Sequence, residues 1–74
     1  MKNTVTLLCA CANYRTCVLG LTQGELASKI GVTQAHYSNF ENGKSNSSKI
    51  LKWFFSQHDF VKMIFDLMED IQNE

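Results

Sequence analysis

The stretch from Leu21 to Lys44, LTQGELASKIGVTQAHYSNFENGK, decides how this chain folds. Thr22 stands where a helix N-cap belongs, and Glu25 three residues on completes a capping box. Leu21 and Leu26 are spaced as the hydrophobic staple across that cap. The same grammar then repeats, with Thr33 as a second N-cap and Val32 and Tyr37 as a second staple. Gly31 lies between the two, where the first helix has to stop and the chain has to turn in a left-handed conformation. Two short capped helices on either side of Gly31-Val32-Thr33 predict a helix-turn-helix over residues 22–42.

Outward from this stretch, the chain has 74 residues, no proline and four glycines. β-Branched alternation is absent, so an all-α fold is expected: one domain over residues 1–74, a compact five-helix bundle. A chain of this length buries only about 60% of its unfolded surface, so its core is marginal and a second copy is a plausible source of further burial. No apolar run is long enough to span a bilayer. The start has the charged and apolar character of a signal peptide, but the apolar run lasts only from Val5 to Ala12, and an intracellular protein is expected.

The formal net charge is zero, yet the charges are segregated. Up to His58, Lys2, Arg15, Lys29, Lys44, Lys49 and Lys52 face only Glu25 and Glu41, an excess of four positive charges. From Asp59 onward, Lys62 alone opposes Asp59, Asp66, Glu69, Asp70 and Glu74, an excess of four negative charges. A basic body with an acidic C-terminal segment suits a domain that meets phosphates on one side and keeps its last helix away from them.

Thr4 to Val18 reads as the first helix, with Val5, Leu8, Cys9, Ala12, Cys17 and Val18 inward and Asn13 and Arg15 outward. Cys9, Cys11 and Cys17 do not make a metal or disulfide framework. Their count is odd, and C-x-C within a helix points its sulfurs roughly 200° apart, with no histidine cluster to join them. They are read as small buried apolar residues. The second helix, Gln23 to Lys29 or Ile30, buries Leu26, Ala27 and Ile30 and carries a glycine, Gly24, near its start.

The third helix, Gln34 to Glu41 or Asn42, turns Tyr37 and Phe40 inward. Gln34, Ala35, His36, Ser38, Asn39 and Asn42 are left as a face that is polar but uncharged. A merely solvated helix favours Lys and Glu, whereas an amide-bearing face is what reading base edges requires. After Gly43, Ser47 or Ser48 caps a fourth helix, about Lys49 to Gln57, whose Ile50, Leu51, Trp53, Phe54 and Phe55 are too many for one stripe. A C-terminal helix over residues 59–73 places Phe60, Met63, Ile64, Leu67, Met68 and Ile71 on one face, with Val61 and Phe65 beside it. That surface is wider than one core needs, and Trp53, Phe60, Ile64, Phe65, Leu67 and Met68 are the candidates for a two-fold dimer contact.

Leu21-Thr22-Gln23, Glu25-Leu26-Ala27, Ile30-Gly31-Val32-Thr33-Gln34 and Phe40-Glu41-Asn42-Gly43-Lys44 resemble the DNA-binding region of the phage repressor/Cro type, or XRE type. The resemblance covers about a third of the chain without a gap and implies a lambda repressor-like domain. The residues between Arg15 and Gly20 number one more than is common in that family, which also often has a proline after Gly43.

By this resemblance the chain is expected to regulate transcription by binding an operator in double-stranded DNA as a dimer. The expected contacts are Gln23, Thr33, Gln34, Ala35, His36, Ser38, Asn39 and Lys44. Gln23 opens the second helix where its amides meet phosphate, and Lys44 holds the same strand. Gln34 pairs with adenine, braced by Gln23, and Ala35 touches a thymine methyl. His36 faces a base, a phosphate or solvent. With no arginine in the third helix, an A·T-leaning half-site is expected.

No cofactor or metal is expected, and no catalytic nucleophile–base constellation is visible. The rival is a protein-binding module on the same fold, such as an antitoxin or a phage-encoded inhibitor.

Overall fold

The computed structural model describes residues 2–72, with side chains over residues 7–68. Val5, Glu69, Asp70 and Ile71 lie outside the described side chains, and residue 73 lies outside the described chain. Five α-helices follow one another, α1 Lys2–Asn13, α2 Gln23–Ile30, α3 Gln34–Glu41, α4 Ser48–Phe55 and α5 His58–Gln72, and there is no strand among the described residues. The fold is all-α, with the helix-turn-helix formed by α2 and α3.

The first helix differs most from expectation. It does not run as a regular α-helix to Val18 but passes at Tyr14 into a π-helical stretch, Tyr14–Leu19, closed by Gly20 at φ 66°. The Gly20 and Leu21 N–H groups both donate to the Arg15 carbonyl. A π turn carries one residue more than an α turn, and this wider turn is how the chain runs from Arg15 to Gly20. The inward face also differs: Ala10, Cys11 and Tyr14 are buried, Leu8 and Ala12 are half-buried, and Cys9, Cys17 and Val18 are exposed. Of the three cysteines only Cys11 behaves as a small core residue. Burial, and then the neighbouring Glu41 charge, pushes its thiol pKa up to about 12, which keeps it protonated and inert.

An aromatic cluster centred on Phe54 joins the remaining helices. Its ring lies 6.1 Å from Tyr14, 6.4 Å from Phe40, 5.4 Å from Trp53 and 5.0 Å from Phe60. Phe60, placed above at a dimer contact, is 0% exposed and belongs to this core instead. Its place in the stripe of α5 packs it edge-on to Tyr14 at 5.4 Å, so it is closed to a second copy. The surplus apolar surface is carried by Phe65 and Met68, 64% and 48% exposed, and at the end of α4 by Phe55. Ser47, not Ser48, caps α4 by accepting from the Ile50 N–H at 3.2 Å.

Candidate nucleic-acid interface

Both helices of the central unit start as their sequences dictate. The Thr22 hydroxyl accepts from the Glu25 N–H at 3.1 Å while Glu25 Oε1 accepts from the Thr22 N–H at 2.9 Å. The Thr33 hydroxyl accepts from the His36 N–H at 3.1 Å. Thr33 is thus occupied as a cap, and its carbonyl accepts from the Tyr37 N–H at 3.0 Å. The turn between them is a left-handed Gly31, φ 97°, with Gly31 and Val32 N–H groups both returning to the Ala27 carbonyl. A β-carbon is poorly tolerated at that φ, which is why glycine stands there. Lys49 from α4 donates to the Gly31 carbonyl at 3.1 Å, tying the turn to the next helix.

Where the start of α2 meets the end of α3 lies a polar hub that local sequence pattern does not reveal. Glu41, at the end of α3, accepts from Arg15 Nε at 2.8 Å and Nη2 at 3.1 Å. It also accepts from Gln23 Nε2 at 2.8 Å and the Tyr37 hydroxyl at 2.7 Å. Burial by itself raises the Glu41 pKa. Hydrogen bonds from Arg15, Gln23 and Tyr37, together with the Arg15 charge, outweigh that and hold the carboxyl below its usual range. Tyr37 is pushed up, first by burial and then by its bond to the Glu41 carboxylate.

Two expectations change here. Arg15 does not face out: its side chain is 13% exposed and closes on Glu41, and its Nη1 donates to the Leu21 carbonyl at 2.9 Å. The Gln23 carboxamide is likewise directed inward to Glu41 and does not brace Gln34. One signal for this was present in the sequence. Tyr37 and Glu41 are four apart on one helix, and a phenol and a carboxylate at that spacing share a face.

The outward side of α3 carries the residues expected there. Gln34, Ala35, His36 and Asn39 are exposed and Ser38 is half-buried, so one face presents two amides, an imidazole and a hydroxyl without a charged group among them. Asn42 Nδ2 donates to the Ser38 hydroxyl at 3.4 Å. His36 is less free than the others. Its Nε2 lies 3.2 Å from the Ser47 hydroxyl, linking the outer face of α3 to the cap of α4. Lys44 is exposed just past α3. Among the described residues, no group of three His, Cys, Asp or Glu side chains is placed to hold a metal, and no helix is long and apolar enough to cross a membrane.

Two capped helices, a left-handed turn and a second helix with an open amide-bearing face define a helix-turn-helix protein. The helix-turn-helix family model matches residues 14–50, half of the 74-residue chain, and the chain belongs to this XRE-type family of DNA-binding domains. The match begins at Tyr14, within the π turn, and ends at Ile50 in α4, so it takes in the Glu41 hub and both caps. Among curated proteins, antitoxin HipB of Escherichia coli O6:H1 is 62% identical over 29 residues, covering 39% of this chain and 31% of the relative. The matched segment thus spans about a third of that relative's length. No solved structure gives a significant match.

Proposed function

We propose that the chain is a sequence-specific regulator of the phage repressor/Cro kind, which sets α3 in the major groove of an operator as a dimer inside the bacterial cytoplasm. The observation that carries this is the exposed, uncharged, amide-bearing face of α3. Gln34 at its N-terminus is the principal base reader, able to donate to N7 and accept from N6–H of adenine. Ala35 offers a methyl contact to thymine, and Asn39 and Ser38 serve a base or phosphate further along. The capping box occupies the Thr22 and Glu25 N–H groups, which leaves that of Gln23 for a phosphate at the start of α2. Lys44 adds charge on the same strand, while Lys49, drawn to the Gly31 carbonyl, contributes less.

Gln34→Ala and Lys44→Ala are expected to act differently on DNA binding. Loss of a paired adenine contact weakens the cognate site by about 1–3 kcal/mol and relaxes preference at one base pair. Loss of a phosphate contact weakens all sequences together and lowers the salt slope by about one. Titration of each variant against a selected operator and random-sequence duplex separates the two. Equal loss on both duplexes for Gln34→Ala removes Gln34 from the reading role.

The dimer is supported by the outer face of α5, where Phe65 and Met68 are exposed beside half-buried Ile64 and Leu67, with half-buried Trp53 on α4. Apolar surface left in water costs about 25 cal/mol per Å², and a two-fold contact covers it on both copies at once. Two half-sites about 34 Å apart then give a site long enough to be found in a genome. Phe65→Glu is expected to lower the sedimenting mass at micromolar concentration from dimer to monomer, with operator affinity falling alongside. A wild type that sediments as a monomer there speaks against the two-fold contact.

A second reading has two observations behind it: the relative's name, antitoxin, and the same exposed α5 face. In that reading the face holds a protein partner. Phe65→Glu then abolishes capture of the partner while the mass of the chain alone is unaltered.

A further inference from the structure

We propose that Gly24 is a positioning residue for base readout, supplying the bare seat on α2 against which the Gln34 carboxamide rests. The inference builds on the reading of α3 as the base-contacting helix and names the element that orients its principal side chain. A β-carbon placed on Gly24 lies 3.0 Å from Gln34 Oε1, 3.4 Å from its Cδ and 4.0 Å from its Cγ. The long side chain of Gln34 therefore crosses from the first turn of α3 onto the second residue of α2, into space that any other residue would fill.

The backbone gives no other reason for a glycine at this position. Gly20, Gly31 and Gly43 have positive φ, but Gly24 does not and sits within α2 as an ordinary helical residue. A helical glycine is a disadvantage relative to alanine, so what Gly24 offers in exchange is the missing methyl. The neighbouring glutamine cannot do the same work, because Gln23 Nε2 is tied to Glu41 at 2.8 Å. With Gln23 withdrawn inward, the contact with Gly24 is what limits where the Gln34 carboxamide can lie before DNA arrives.

Restricting a three-torsion side chain beforehand lowers the entropy lost when it pairs with a base. A methyl at position 24 removes that seat. The carboxamide has to move by a few tenths of an ångström or change rotamer. Because it is the far end of a flexible side chain, the fold accommodates the change.

The test uses the full chain as wild type, Gly24→Ala, Gln34→Ala and the double variant. The probes are a duplex recovered by selection with the wild type, the same duplex changed at the base pair where Gln34→Ala relaxes preference, and random-sequence duplex. Gly24→Ala is expected to melt at or above the wild-type temperature and to bind random duplex unchanged. It should bind the selected duplex about three- to tenfold more weakly, with preference at that one base pair reduced. In the Gln34→Ala background the same change should have no further effect, since the two substitutions remove one interaction.

The proposal is overturned if Gly24→Ala keeps full preference at that pair, or if its effect adds to that of Gln34→Ala. It is also overturned by an equal loss on all three duplexes, the signature of a methyl striking a phosphate. If Gln34→Ala itself changes no preference, the reading of α3 fails and takes this inference with it, an outcome visible in the single variant alone.

Discussion

Replacing Glu41 with alanine is expected to cost about 3 kcal/mol of folding free energy, the lower end of the loss found when one partner of a buried ion pair is removed, because this pair is partly buried. A domain of this length has only about 4–11 kcal/mol in total, so the variant should melt well below the wild type. Four donor contacts converge on the two Glu41 oxygens: two from Arg15, one from Gln23 and one from Tyr37. Alanine leaves all of these donors facing a hole, and glutamine is little better because its NH₂ points a donor at other donors. The same carboxylate sets an acid limit. Its pKa is lower folded than unfolded, so its contribution is fully present above the unfolded value of about 4.3 and is lost as pH falls through the folded value. In circular-dichroism melts from pH 7 downward, the gap between wild type and Glu41→Gln should therefore begin to narrow once the pH falls below the unfolded value. A constant gap between them at every pH would mean that the ionised carboxylate is not what stabilises the hub.

Phe54→Ala should be comparably damaging, at about 3–5 kcal/mol. The ring is 0% exposed and makes aromatic contacts with Tyr14, Phe40, Trp53 and Phe60, so removing it opens a cavity where the first, third, fourth and fifth helices meet. Its sequence neighbour supplies the control. Phe55 is 46% exposed, and Phe55→Ala should change stability by far less. Urea unfolding of the two variants side by side measures the difference. Equal midpoints would show that the cluster is not centred on Phe54.

The parts legible in the sequence are those whose physics is local. Caps, staples and the left-handed glycine are fixed by residues within five positions of one another, and Thr22, Glu25, Gly31 and Thr33 do what their spacing requires. The uncharged face of α3 was legible for the same reason, because helical periodicity alone separates Tyr37 and Phe40 from Gln34 and Asn39. What was hidden depends on contacts across the fold. Arg15 and Glu41 are 26 residues apart, and nothing near either one shows that the guanidinium turns inward.

Gln23 was placed at the right helix terminus but given the wrong neighbour, since an amide can face either glutamine or glutamate and only the packing decides. In the first helix, a regular period of 3.6 residues was applied through a stretch that does not keep it. This is why Cys9, Cys17 and Val18 were expected inside and Tyr14 was overlooked. Phe60 lay on the expected stripe, but periodicity cannot tell a core position from an interface position on a wide apolar face.

The π turn at Tyr14–Leu19 works as slack in the chain. An insertion in a straight α-helix rotates everything beyond it by about 100°, which here would have carried Arg15 away from Glu41 or displaced Gly20 from the start of the loop. The widened turn keeps both ends in place and turns only Thr16, Cys17 and Val18 outward, all three exposed. The widening of the turn is therefore silent at the Glu41 hub and is written entirely on the outer surface. The contour that the first helix shows to an approaching molecule is thus set apart from the geometry that holds α2 against α3.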